Sequence, residues 1–488
     1  MQARRQINFK IIIRLLGMLL MIMAAFMMLS VSWSIYYGET EALNSLLISS
    51  LLSFIPGLLF YLTTCRTDQR NIGKKEGYLI VTLTWVFISA FGALPLFISG
   101  AIPSYTNAFF ETMSGFTTTG ATILEDIEAI DKSLLFWRST THWLGGMGII
   151  VLTLAVLPIL GVGGMQLFVA ESPGTTPHRL HPRIKQTAKR LWGIYVSLTF
   201  VQTILLMAGG MNLFHSLNHA FSTMATGGFS TQNDSIAGYS PYIQYVIIFF
   251  MILGGISFAL HYYILKGQFR KALGNEELRF YLSVIGAFTL VIASGLFLLH
   301  GTAVEEAFRE ALFQTVAITT TTGFVTVDFL QWDGFLWFLI FLLMFTGGCI
   351  GSTSGGVKMI RILVLIKNTR LELKRLLHPM AVIPVRVEGR AIPQEIITNF
   401  LAFFLLFMLL FFAGAAIMSG FGLDFTTAIG ASIATIGNIG PAIGHIGPVE
   451  NYAFIPAGGK WVLSFFMLLG RLELFTVLLL FSPSFWKK

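Results

Sequence analysis

The stretch SGFTTTG, Ser114 to Gly120, lies between two long apolar segments and returns in altered form three more times. The later copies read STMATGG (Ser222–Gly228), AITTTTG (Ala317–Gly323) and ATIGNIG (Ala434–Gly440). Each opens on a small residue and closes on a glycine six positions later. A second mark follows every copy: LGGMG at Gly145–Gly146, LGGIS at Gly254–Gly255, TGGCI at Gly347–Gly348 and LGRLE at Gly470–Arg471. From closing glycine to the first glycine of the mark the spacing is 25, 26, 24 and 30 residues. Gly and Thr are common in membrane helices, so one such match would carry nothing. Four in the same internal order mark a repeated unit.

Each unit is a long apolar helix, a shorter amphipathic segment, the Thr/Gly turn and a second long helix. The first helices are expected at about 77–100, 190–212, 279–300 and 394–420, and the second at 134–161, 240–265, 334–365 and 457–482. A hairpin of two further helices, 11–35 and 42–63, precedes them. The expected division is therefore a hairpin over 1–72 and units over 73–186, 187–275, 276–385 and 386–488. This is an all-α polytopic membrane protein with about ten membrane-spanning helices, four pore loops being arranged around a pseudo-fourfold axis.

Composition agrees. Of 488 residues 55% are hydrophobic and only 11% charged, with mean hydropathy +0.75, whereas soluble domains carry about 25% charged residues. The apolar runs are long enough for a bilayer of about 30 Å. The N-terminus has the charge order of a signal peptide, but its apolar run is too long and lacks a cleavage pattern, so it reads as a retained helix. Cys65 and Cys349 are too few for a disulfide framework or a cysteine-rich metal site. Taking the polar stretches as alternating sides, starting inside, puts 27 of the 32 Lys/Arg inside and fourteen Asp/Glu outside. That is the positive-inside distribution with both termini cytoplasmic; it accounts for the net charge of +8 without nucleic acid. The basic stretches 179–190, 266–271 and 358–390 set topology and, secondarily, offer a docking face for an acidic or nucleotide-binding regulator.

Irregular backbone inside a membrane survives only when buried in protein or lining a water-filled cavity. Four turns on one axis would converge carbonyl oxygens there, and such a ring replaces the hydration shell of a monovalent cation. Glycine permits the positive φ that turns carbonyls inward, and threonine hydroxyls add oxygens or brace the turn. No turn holds a carboxylate, which argues against Ca²⁺ or Mg²⁺. Spacing alone leaves K⁺ and Na⁺ both open.

Two features suit a gate. The third second helix carries GGCIGSTSGGVK (347–358) in its middle, and each glycine costs a helix about 1 kcal/mol. A broken helix with a polar loop is expected, the plainer alternative being a packing kink; the GxxxxGK[ST] phosphate-loop pattern is absent. Arg471 stands where the other units have Gly146, Gly255 and Gly348, so unit symmetry points it at the central path; a salt bridge to another helix is the alternative. His142 and Arg138 at the start of the first second helix suit structural hydrogen bonding better than proton coupling.

The unit repeated four times in one chain resembles the Trk/Ktr/HKT superfamily of potassium transporters. The two extra helices, RSTTHWLGGMGI (Arg138–Ile149) and GGCIGSTSGGVK (Gly347–Lys358) are similar to its TrkH/TrkG branch. The resemblance covers essentially the whole chain. It implies a K⁺-uptake subunit of the bacterial inner membrane, acting as a homodimer with a cytosolic, nucleotide-binding TrkA-type regulator and carrying no organic cofactor. The implied filter comprises Thr118, Thr119 and Gly120; Thr226, Gly227 and Gly228; Thr321, Thr322 and Gly323; and Asn438, Ile439 and Gly440, the fourth turn departing most. Each loop has a single signature glycine, which implies fewer tight ion sites than in tetrameric channels. The implied gate comprises Gly347, Gly348, Gly351, Gly355, Gly356, Lys358 and Arg471. A Na⁺-coupled or Na⁺-permeant transporter is the rival within the superfamily. A lipid or solute transporter or membrane enzyme is more distant, since no HExxH, GxSxG or paired intramembrane carboxylates occur. An inverted-repeat transporter needs paired broken helices, whereas only one of the four second helices is expected to break.

Overall fold

Runs of twenty or more apolar residues fold as helices because a bilayer offers no partner for unpaired backbone groups. The computed structural model describes residues 7–65, 74–148, 184–381 and 383–487. Helices α1 (Phe9–Tyr37) and α2 (Thr40–Thr63) form the N-terminal hairpin, turned at Gly38 in the left-handed conformation. They approach closely at paired glycines: a Cβ on Gly17 would lie 2.5 Å from the Gly57 carbonyl oxygen, and one on Gly57 2.8 Å from that of Gly17. Small residues at such crossings are what allow membrane helices to pack.

Four units follow. Their first helices are Lys74–Gly92, continued by Leu94–Ile98, then Ile184–Ala208, Glu276–His300 and Gln394–Gly420. Each leads into a short helix: Tyr105–Phe116, Leu213–Met224, Val304–Thr319 and Phe425–Ile436. Asn212 and Asp424 cap two of these by accepting from the backbone N–H of His215 and Thr427, as side-chain oxygens at that position do.

The second helices depart from expectation. The second unit's runs Pro241–Gly255 and Phe258–Leu265 with a bend of 104°, and the fourth's runs Ala457–Arg471 and Leu474–Phe481 with a bend of 117°. The third stops at Leu343 and resumes at Met359, continuing to Leu377. The first passes from helix Lys132–Trp143 into a π-turn, Leu144–Gly148; its expected remainder to 161, like most of the basic stretch 163–190 and residues 66–73, lies outside the described residues. The expectation of a single broken second helix was thus wrong, since two more bend sharply. Both bends follow directly on a glycine mark packed too tightly for a side chain: a Cβ at Gly255 would strike the Tyr281 hydroxyl, and one at Gly470 the Ile436 carbonyl. Gly145 in the first unit lies equally close to the Phe116 carbonyl.

Among the described residues six helices are long and apolar enough to cross a membrane, or eight counting each bent pair as one span. The shortfall from ten falls on the first and third second helices, one leaving the described residues and the other split. Apart from a hairpin of two two-residue strands, Arg386–Val387 with Arg390–Ala391, the regular structure among the described residues is helical: an all-α polytopic membrane protein.

Candidate functional site

All four short helices end alike. Thr119, Gly227, Thr322 and Ile439 donate their N–H to the carbonyls of Ser114, Ser222, Ala317 and Ala434 at 2.8–2.9 Å, and the preceding residue donates three positions back. This is the Schellman closure, whose left-handed residue is usually glycine. Here it is Thr118, Thr226, Thr321 and Asn438, with φ of 53° to 58°. A non-glycine residue in that region costs about 1–3 kcal/mol and persists only where its surroundings impose it. Two residues on, Gly120, Gly228, Gly323 and Gly440 are also left-handed, with φ of 73° to 92°.

The turns meet in a closed cycle. A Cβ on Gly120 would run into the carbonyl oxygen of Gly227, one on Gly228 into that of Thr322, and one on Gly323 into that of Ile439. A Cβ on Gly440 would lie 2.7 Å from the carbonyl oxygen of Thr119, which closes the ring. The small residue opening each copy and the glycine ending it are therefore the two ends of one device. Among the described residues none donates a hydrogen bond to the carbonyls of Thr118, Thr119, Thr226, Gly227, Thr321, Thr322, Asn438 or Ile439. Buried carbonyls need a partner, so these eight are suited to a cation or water.

Side chains brace the ring from behind. Thr117 bonds Thr119, and Thr320 bonds Thr322, each at 2.8 Å between hydroxyls. Asn438 donates to the Thr119 hydroxyl and to the Met467 carbonyl, both at 2.9 Å, tying the fourth turn to the first. His142 stacks on Phe229 at 3.9 Å and lies against Gly227, where any Cβ would enter the imidazole. Tyr452 donates its hydroxyl to the Gly440 carbonyl at 2.6 Å and its N–H to the Thr122 carbonyl. Arg138 pairs with Glu111 at 2.6 Å, both fully buried, and also bonds the Ser230 carbonyl. Glu111 further accepts from the Thr122 hydroxyl and the Ile123 N–H. That network locks the arms leaving the first two turns, in keeping with a structural role for Arg138 and His142.

The segment 344–358 crosses against the ring. Thr353 bonds the Met224 carbonyl at the end of the second short helix, and Gly355 donates its N–H to Thr321 at 2.7 Å. A Cβ on Gly355 would lie 2.8 Å from the Gly437 carbonyl oxygen. Gly347 lies against Gly355, Gly348 against Gly255, and Gly356 against Thr346; Gly351 accepts from Phe258 N–H. The Lys358 ammonium donates to the Ser354 carbonyl. Arg471 completes the set: its guanidinium donates to the Thr118 hydroxyl (3.0 Å) and to the carbonyls of Thr353 (2.7 Å), Gly145 (2.5 Å) and Gly146 (2.8 Å). Segment and guanidinium together touch all four turns.

The twelve turn residues expected from the sequence thus meet at this ring. Of the expected gate residues Gly355 and Arg471 touch it, while Gly347, Gly348, Gly351, Gly356 and Lys358 pack within the segment or against the second unit's bend. Residues that sequence reasoning missed are Glu111, Tyr452, Glu277 and the pair Arg361–Glu473 (2.5 Å). An acidic residue in the amphipathic segment before the first turn was the one available signal, for Glu111.

The family model described as TrkH, cation transport protein, matches residues 46–488. The Trk system potassium uptake protein TrkH of Halomonas elongata is 39% identical, over 99% of this chain and 100% of its own length. The TrkH protein of Escherichia coli K12 is also 39% identical over the same shares, and that organism's TrkG is 31% identical over 98% of this chain and 99% of its own length. The crystal structure of the potassium transporter TrkH from Vibrio parahaemolyticus superposes with a TM-score of 0.88 at 36% identity, covering 99% of this chain and 100% of that one. These matches leave no place for the membrane-enzyme reading. The chain belongs to the TrkH family of cation transport proteins.

Proposed function

We propose that this chain is the K⁺-conducting membrane subunit of a bacterial uptake system, with K⁺ its transported substrate. The ring of eight carbonyls that have no donor among the described residues, two from each turn, carries this reading, and the names of the relatives supply the ion. Left-handed residues at alternate positions, Thr118 and Gly120 and their equivalents, bring successive carbonyls to one side of the strand. The short helices end at the ring, so their partial negative charge favours a cation.

In this reading residues 347–358 obstruct the path against the ring, and Arg471 both pins that segment and repels cations. The hairpin 1–72 and the units 73–186, 187–275, 276–385 and 386–488 are the functional parts, set in the inner membrane with cytoplasmic termini. A homodimer and a cytosolic TrkA-type nucleotide-binding regulator remain part of the proposal on the strength of the family resemblance.

The test is growth at low external K⁺ of a bacterium lacking its own K⁺ uptake. Expression of this chain with its regulator restores growth, and Gly323→Ser, expressed equally, does not. Equal growth of both strains overturns the ring as the path, and growth dependent on Na⁺ favours the Na⁺-coupled reading.

A further inference from the structure

The third unit's first helix begins with Asn275, Glu276 and Glu277. Asn275 caps it, accepting from the N–H of Leu278, and the two carboxylates then part. Glu277 is buried, and its Oε1 accepts from the N–H of Ile350 at 2.8 Å and of Ile360 at 3.1 Å. Those two amides, one inside the segment and one just after it, flank the part from Thr353 to Gly355 that touches the ring. Ile360 is in the first turn of helix Met359–Leu377, where N–H groups have no intrahelical partner. One oxygen therefore closes the segment at its base and caps the helix that continues it.

Glu276 faces elsewhere. It pairs with the Lys367 ammonium on helix Met359–Leu377 and accepts from the N–H of Glu388 in the small hairpin. Lys367 also bonds the Arg386 carbonyl, and Asn275 donates to the Glu388 carboxylate. One helical turn thus holds the segment on one side and the hairpin on the other.

We propose that Glu277 is a positioning residue that latches the segment against the ring, and that Glu276 couples this latch to the hairpin 385–392. A buried carboxylate near a membrane-helix end is costly unless it is hydrogen-bonded, and this one holds the two amides that flank the ring-touching part of the segment. The inference rests on the reading of residues 347–358 as the obstruction.

Cys349, wholly buried beside Ile350, is a built-in reporter, and Cys65 is exposed. In a Cys65→Ser background reconstituted in liposomes, labelling of Cys349 by a membrane-permeant maleimide is measured beside Rb⁺ influx. Glu277→Ala is expected to label at least about tenfold faster, the factor implied by losing two hydrogen bonds of about 1 kcal/mol each, and to conduct more Rb⁺. Glu277→Gln keeps an oxygen able to accept from both amides and stays close to wild type. Glu277→Asp keeps the charge but withdraws the oxygen by about 1.5 Å; it labels fast, and decides the matter if the alanine variant aggregates. Wild-type labelling in well-folded Ala or Asp variants overturns the latch. Faster labelling with unchanged Rb⁺ influx upholds the latch and refutes the segment as the obstruction.

Discussion

Replacing Arg471 by alanine removes four donated hydrogen bonds that join the first unit, the intramembrane segment and the fourth second helix. A hydrogen bond involving a charged group contributes about 1.5–3 kcal/mol. Losing the bond to the Thr353 carbonyl alone therefore shifts the segment toward its displaced state by about ten- to a hundredfold. The second contribution is electrostatic. A unit charge about 4 Å from a passing cation costs it about 4 kcal/mol at an effective dielectric of 20, and half that at twice the distance. Both effects act in one direction, so Arg471→Ala raises Rb⁺ influx into liposomes at least about tenfold. Arg471→Lys separates them: it keeps the charge but cannot span four oxygens, and its influx falls between wild type and alanine. The assay compares matched amounts of protein that elute as one symmetric species. Unchanged or lower influx in the alanine variant refutes the placement of Arg471 in the conduction path.

The buried Arg138–Glu111 pair is expected to behave as a unit. Arg138→Met or Glu111→Gln alone costs about 3–5 kcal/mol by stranding the other charge, whereas the double replacement costs less than the sum, read as thermal unfolding midpoints in one detergent. Tyr452→Phe removes the hydroxyl on the Gly440 carbonyl, worth about 1 kcal/mol; it lowers the Rb⁺/Na⁺ influx ratio with little change in the unfolding midpoint. Gly227→Ala drives a Cβ into His142, 2.6 Å from its Cε1, and abolishes influx, and His142→Ala in the same chain restores part of it. Failure of that second change to rescue would place the damage in the turn itself.

The repeat was legible because its demands fall on glycine. Gly120, Gly228, Gly323 and Gly440 are left-handed and too close to the next turn for any side chain, so the residue type itself reports the geometry. The same strain at Thr118, Thr226 and Thr321 left no trace, since threonine there reads as an oxygen ligand and nothing more. The bends in the second and fourth second helices were hidden for a related reason. Ile256–Ser257 and Leu472–Glu473 sit in runs that remain apolar on average, and the contacts at the glycines before them, Tyr281 against Gly255 and the Ile436 carbonyl against Gly470, form only in the folded chain. Glu277 was missed because Asn-Glu-Glu reads as an ordinary helix start. Its buried role depends on two amides, at Ile350 and Ile360, that only the folded chain brings to it.

The most direct test of the central claim is the ratio of Rb⁺ to Na⁺ influx into liposomes holding only this chain, with Arg471→Ala present so that the path conducts, and with Gly120 either retained or changed to Ser. The account predicts a strong preference for Rb⁺ with Gly120 and its loss with Gly120→Ser, whose Cβ displaces the Gly227 carbonyl. Equal influx of both ions, unaffected by the change at Gly120, would contradict a pathway built from the four turns.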